Sequence, residues 1–360
     1  MSNYSWLLIV PILAVLVVVH EFGHFLTARF FGVKVEEFGV GLPPRIIGRE
    51  WKGTLWSLNW IPLGGFARMK DENTAGEAPD SFQSKPAYAR AIILLGGIIF
   101  NLIFASLLFI GVLAFHGAPT GEATVFVGAV APNTPAEMTG WRIGDQITRV
   151  GDASIGSAKD LMGAISAAAG KPTQVTLVRN GQTMATTITP RLNPPAGQGA
   201  LGITLRTQDV YARESLAQAI PDGFSTTLRG AGSIFGFLGQ LIHNTAPGGL
   251  AGNVSGPIGI ARTVGEVVNT SSTPGWVSVF NLSAIISINL AVFNLLPIPA
   301  LDGGRLLFVI IEILRRGRRV PPEREGMVHV IGMAVLLSIF VLVAFHDIQG
   351  IFDGRSILPR

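Results

Sequence analysis

Four apolar runs divide this chain, and each has the roughly 20 residues that a helix needs to cross the hydrocarbon of a bilayer. They are Trp6 to Phe25, Ala91 to Phe115, roughly Trp276 to Leu296, and Met327 to Phe345. Of the 360 residues, 48% are hydrophobic and only 14% charged, against about 25% charged in soluble domains. The expected fold is therefore a polytopic α-helical membrane protein with four transmembrane helices and room for one extramembrane domain. The first run lacks a basic leading region and a small-residue cleavage site, so it reads as a retained helix rather than a signal peptide.

The net charge of +4 is not a nucleic-acid signal. The basic residues are not interleaved with aromatics on a polar domain. They collect instead in two loops. One, between the first and second runs, holds Lys34, Arg45, Arg49, Lys52, Arg68, Lys70, Lys85 and Arg90. The other, between the third and fourth, holds Arg315, Arg316, Arg318 and Arg319. Both should face the cytoplasm by the positive-inside rule, with the arginine cluster as a topology anchor. Four spans then place both termini and the section 116–275 on the other side. There are no cysteines, which leaves His, Asp and Glu as metal ligands.

The first run ends in His20-Glu21-Phe22-Gly23-His24. Residues four apart share a helix face, so the two imidazoles can serve one metal ion. Glu21 stands where a carboxylate can take a proton from an attacking water. Ionisable residues inside an apolar segment are costly and usually mark function. Two histidines do not complete a catalytic zinc site, which generally has three protein ligands. Asp302 is the best third candidate, in the stretch Asn294 to Arg305, which reads NLLPIPALDGGR. Pro297 and Pro299 break the helix there, and Gly303-Gly304 permit tight backbone geometry. The plainer alternative for Asp302 is a helix cap for Leu306–Leu314.

Between these motifs the chain changes character. Gly53 to Ala67 is apolar and aromatic but too short to span. With Pro62 and Gly64-Gly65 it suits a membrane-re-entrant β-hairpin, or a loop resting on lipid headgroups. Residues 118–192 carry strand-like runs at Ala123–Val130, Gln146–Val150, Gln174–Arg179 and Thr183–Thr189, with a helix at Ser157–Ala169. Pro190 to Gly199 reads as a linker, and Tyr211 to Asn244 as an amphipathic helix on the outer leaflet. His243 reads as a surface residue. His116, His329 and His346 fall near membrane boundaries and read as interfacial.

Taken together, HEFGH on a first transmembrane helix and a distant NLLPIPALDGG resemble the site-2 protease family (peptidase family M50), in its RseP-like bacterial branch. Further segments agree. Gly97-Ile-Ile-Phe-Asn101 is similar to that family's G-x-x-x-N motif. Val33–Gly41 and Pro62–Phe66 are similar to the segments flanking its re-entrant loop, and Ser255–Gly259 to a block ahead of its third span. Val127–Val130, Asn133–Glu137 and Gly140–Ile147 resemble a bacterial PDZ domain, here present once.

The resemblance implies an intramembrane zinc metalloprotease of the bacterial cytoplasmic membrane. One Zn2+ per chain would be held by His20, His24 and Asp302, with Glu21 as the catalytic base. Asn294 would hydrogen-bond the substrate backbone, and Asn101, Gly64 and Gly65 would lie at the substrate or support it. The hairpin would hold an unwound substrate helix as an added strand. Substrates would be single-pass membrane proteins, either anti-sigma factors or remnant signal peptides, cut toward the cytoplasmic side. The PDZ domain, periplasmic like both termini, would take a peptide along Val127, Gly128, Ala129 and Val130, or act as a steric cap. The implied organisation is a first transmembrane pair (1–115), the PDZ domain (118–192), a linker with an interfacial helix (193–275), and a second transmembrane pair (276–360). Competing readings are a membrane-anchored PDZ adaptor with an inactive metal site and a metal transporter with a midplane His/Asp site.

Overall fold

The computed structural model describes residues 5–72, 76, 78–195, 197–243, 261, 263–265 and 273–352. The Ser255–Gly259 block and the side chain of His346 lie outside the described residues. In chain order the elements are α1 (Ile9–Phe30), β1 (Val35–Trp51), β2 (Thr54–Met69), α2 (Ala87–Phe115), β3 (Ala118–Val130), α3 (Pro135–Met138), β4 (Gln146–Val150), β5 (Ala153–Ser154), α4 (Ala158–Ala167), β6 (Thr173–Arg179), β7 (Gln182–Ile188), β8 (Ile203–Ala212), α5 (Leu216–Ile242), α6 (Gly275–Leu295), α7 (Asp302–Leu314) and α8 (Pro322–Phe352). They form two compact units. The first comprises Met1–Ala114 and Ser215–Arg360, the second Phe115–Glu214.

In the first unit, four helices among the described residues are long and apolar enough to cross a membrane: Ser5–Phe30, Ala87–Phe115, Gly275–Leu295 and Glu323–Phe345. They match the four apolar runs, but α1 continues five residues past the expected Phe25. It stops where Gly32 takes a left-handed φ of +67°, and the Val33 N–H returns to the Ala28 carbonyl at 2.8 Å. This is the usual glycine-terminated helix end. Proline limits α6 at both ends, with Pro274 before its first residue and Pro297 two residues past its last.

The hairpin corrects the sequence expectation in extent. Gly53 to Ala67 is not a hairpin by itself; it is most of β2, whose partner is β1. The turn is Lys52-Gly53, at φ of +51° and +76°, the two-residue geometry that suits the twist of paired strands. From there Trp51 pairs with Thr54 and Arg45 with Asn59. Phe38 pairs twice, with Trp56 and with Ala67. Both strands are thus used over two lengths, and the segment 65–69 lies beside 35–40 at one margin of the sheet. Behind it, Phe25, Ala28, Val33, Val35, Phe38, Met69, Ile93 and Val309 form a continuous buried cluster. That cluster joins α1, the sheet, α2 and α7 around the histidines.

Ion pairs fasten α7 to the rest of this unit at both ends. Glu312 is buried and paired with buried Arg90 of α2, and its Oε1 accepts from Arg319 Nε at 3.1 Å. Arg319 also donates to the Gln83 carbonyl. One member of the arginine cluster therefore holds structure together. Arg305, one turn after Asp302, pairs with Glu72 of the segment that follows β2.

The second unit is a six-stranded sheet in the order β7-β6-β4-β3-β8, with β5 beside β4. Val125, Val127, Trp141, Ile147, Leu161, Val175, Leu177 and Ile188 are its core. Ser157 caps α4 by accepting the Asp160 N–H at 3.1 Å. Buried Asp145 takes two bonds from Arg179, at 2.6 and 2.7 Å. Burial alone would raise its carboxyl, but these bonds and the Arg142 N–H hold it below the ordinary carboxylate range.

Two expectations fail in this unit. Residues 203–212, assigned to a linker and helix, are strand β8, paired with β3 from Ala118↔Ala212 to Val130↔Ile203. The start of the stretch Val127, Gly128, Ala129 and Val130 is also paired on both sides. Its β8 side is occupied, and on the other side Val127 exchanges bonds with Asp145 and Gly144. Alternating hydrophobicity identifies a strand, but nothing in it says how many neighbours the strand has.

Candidate metal centre

The H-E-x-x-H turn lies inside α1, and the glycines on either side of the helix crossing set its surroundings. A Cβ on Gly96 would stand 2.7 Å from the Gly23 carbonyl, so α1 and α2 meet backbone to backbone. A Cβ on Gly97 would stand 2.6 Å from His24 Nε2 and 2.7 Å from His20 Cε1. Gly97 is thus the floor beneath both imidazoles. Gly97→Ala is expected to cost about 1–3 kcal/mol in overpacking and to displace the rings, so that elemental analysis finds less zinc per purified chain than in the parent protein.

His20 and His24 are both buried. Asp302 reaches them from across the chain, with Oδ2 2.9 Å from His20 Nε2 and 3.3 Å from His24 Nε2. The two Nε2 atoms are 3.2 Å apart. Among the described residues, this is the group of three whose donor atoms all lie close enough to hold one metal ion. Tetrahedral zinc with bonds near 2.0–2.2 Å places its ligands roughly 3.3–3.5 Å apart, close to what is seen here.

The outer nitrogens support the same reading. His24 Nδ1 lies 2.9 Å from the Ile93 carbonyl, which can only accept. The ring proton is therefore on Nδ1, and Nε2 keeps its lone pair. His20 Nδ1 lies 3.2 Å from the Asn101 amide nitrogen, while Asn101 Oδ1 has no partner among the described residues. Amide oxygen and nitrogen can exchange places. With the oxygen toward the ring, Asn101 accepts the His20 Nδ1–H and both Nε2 atoms are left free for a cation. The donor set fits zinc on these grounds.

The α6–α7 break aims Asp302. Gly303 and Gly304 fold the start of α7 so closely onto residues 295–298 that a Cβ on either would overlap a backbone carbonyl. The plainer reading of Asp302 as a cap for Leu306–Leu314 does not hold: the helix already starts at Asp302, Leu301 is its N-cap, and the Asp302 Oδ2 lies on the histidines. Glu21 is half-buried and its Oε2 accepts the Ala67 N–H of β2 at 3.0 Å. This ties the glutamate to the sheet margin.

The remaining candidates divide. Asn294 is half-buried in the last turn of α6, near the break. Asn101, expected either to support the substrate or to pack by interhelical hydrogen bonding, is fully buried against His20. Gly64 lies beside Val17 of α1, and Gly65 is in register with Val40. Both serve the approach of the sheet to α1. Sequence reasoning missed Ala67, whose contribution is a backbone N–H that carries no residue signature. It also gave no sign that His329 Nδ1 accepts the Ala300 N–H, at 2.8 Å.

A helix of spanning length whose two imidazoles and adjacent glutamate meet a distant carboxylate from the start of α7 defines the class of membrane metallopeptidases. Comparison with known proteins narrows the class. Residues 8–339 match peptidase family M50, and the chain belongs to that family, the site-2 proteases. It is 30% identical to a provisionally named zinc metalloprotease of Clostridium acetobutylicum, over 97% of this chain and 98% of that one. It is 32% identical to metalloprotease MmpA of Caulobacter vibrioides, over 94% of each. It is 28% identical to zinc metalloprotease RasP of Oceanobacillus iheyensis, over 94% of this chain and 97% of the relative.

Proposed function

We propose that this protein is an intramembrane zinc metalloprotease that cuts single-pass membrane proteins. The observation that carries the reading is the meeting of Asp302 with His20 and His24 inside a bundle of spanning helices. His20 Nε2, His24 Nε2 and Asp302 would hold one Zn2+. Once bound, the ion supplies a Lewis acid that polarises the scissile carbonyl and acidifies water. Glu21 keeps one oxygen on the Ala67 N–H, and its other oxygen takes the proton of the attacking water and returns it to the leaving amine. Asn294 hydrogen-bonds the substrate backbone beside the break.

A transmembrane substrate hides its peptide bonds in helical hydrogen bonds and must unwind locally to be cut. The hairpin, read as re-entrant, offers its 65–69 margin to the unwound segment as a neighbouring strand. Because Ala67 in that margin bonds Glu21, such a strand would pass beside the base. The second unit is read as a periplasmic PDZ domain. If it takes a peptide by strand addition, the end strand β8 offers an edge, since β3 pairs with β8 along its length and with β4 at Val125 and Phe126. The family precedent points to anti-sigma factors or remnant signal peptides in regulated intramembrane proteolysis.

The test is cleavage of a model single-pass substrate by detergent-purified protein. Cleavage should stop when a chelator strips the metal and return when zinc is restored. Zinc flux across vesicles without any hydrolysis would favour the transporter reading. PDZ ligand binding without hydrolysis would favour an adaptor.

A further inference from the structure

The loop that carries Asp302 contains one backbone conformation that needs external support. Ala300 has φ of +78°, a left-handed value that a residue with a Cβ keeps only when its surroundings hold it. The support comes from α8. The Ala300 N–H donates to His329 Nδ1 at 2.8 Å. One turn further along α8, Gly332 packs so closely on Pro299 that a Cβ there would overlap the proline ring. The His329 ring also packs against Phe308 of α7, with centroids 5.8 Å apart. Its Nε2 is buried without a hydrogen-bond partner among the described residues, and Glu325 lies 3.9 Å away. Among the described residues, none of the apolar spanning window of α8 is buried.

We propose that His329 is a positioning residue for the metal centre. By accepting the Ala300 N–H it fixes the left-handed residue two positions before Asp302, and so sets where the carboxylate meets His20 and His24. The inference rests on the reading of Asp302 as a metal ligand. It does not make His329 a ligand or give it a part in proton transfer. It also gives the fourth span a function beyond crossing the bilayer.

The experiment compares full-length His329→Phe, His329→Asn and the double variant His329→Phe with Ala300→Gly. Phenylalanine keeps the ring volume but cannot accept. Asparagine can place its oxygen where Nδ1 lies. Glycine at 300 adopts positive φ unaided, so it removes the need for the bond. Zinc affinity is read by competition with a chelator. Hydrogen–deuterium exchange over residues 297–304, in metal-free protein, reads the loop independently of activity.

His329→Phe should weaken zinc binding by about 10–100-fold, the usual effect of losing an outer-shell support, and should speed exchange at 297–304. His329→Asn should stay near the parent, and Ala300→Gly should recover much of what phenylalanine lost. Unchanged zinc affinity and exchange in His329→Phe would overturn the proposal. So would equal losses in the phenylalanine and asparagine variants with no recovery by Ala300→Gly, since that pattern reports general damage to packing. If the parent protein binds no zinc, the metalloprotease reading fails, and the exchange measurement still decides whether His329 holds the loop.

Discussion

Glu21→Gln protein should hold one zinc per chain yet cleave a model transmembrane substrate about 100- to 10,000-fold more slowly, the range general acid–base catalysis supplies. Glutamine has the same shape, and its oxygen can still accept the Ala67 N–H that now engages Glu21 at 3.0 Å. The sheet margin therefore keeps its place against α1. What is lost is a group that can take a proton and give it back. Neither ligand histidine bonds Glu21: His24 is held by the Ile93 carbonyl and His20 by Asn101. Metal content should consequently be untouched. Zinc by elemental analysis and product by gel assay on the same preparation make the check. Retained cleavage in Glu21→Gln would remove the catalytic assignment.

The second large effect concerns Asp302→Ala. One of three protein donors disappears, and the two Nε2 atoms, 3.2 Å apart, remain as an incomplete pair. Even outer-shell losses cost about 10–100-fold in metal affinity, so loss of a ligand should weaken zinc by at least about 100-fold. Cleavage should vanish with it. A collapsed fold is not the expected cause. Asp302 opens α7, where an acidic residue contributes only about 0.3–1 kcal/mol through the helix dipole. The buried Glu312–Arg90 pair still holds the far end of that helix. Asp302→Asn keeps a polar group at the helix start and serves as the second variant. Thermal melting near that of the parent, together with lost zinc, is the expected pattern. Full zinc retention would mean that the ligand set lies elsewhere.

The sequence made much of this legible because the relevant signals are local. Spanning length needs only an apolar count, and the four runs correspond to the four candidate spans. The i, i+4 spacing of His20 and His24 fixes a shared helix face before any coordinates exist. Pro297 and Pro299 announce a broken helix, and a broken helix is a plausible place from which to aim a carboxylate. The failures were equally physical. Gly53 to Ala67 looked like a complete hairpin because its composition was distinctive, yet the partner strand was the less apolar β1. Val127–Val130 read correctly as strand but not as interior strand, since residues 203–212 carry little alternation to advertise β8. His329 looked like one more boundary histidine, because its partner is a backbone N–H 29 residues away in sequence.

By itself the sequence determined which segments are long and apolar enough to cross a membrane, which residue types are available to bind a cation, and that two of them share one helical turn. These follow from period, length and composition, all of them short-range properties. Only the tertiary structure decided that Asp302 closes on the histidines, that Asn101 and the Ile93 carbonyl bond the two rings, and that His329 of α8 accepts the Ala300 N–H. Those relations depend on how closely helices approach one another. That approach is set where Gly23, Gly96, Gly97 and Gly332 leave no room for a side chain, which is a property of packed surfaces and not of any one stretch of chain.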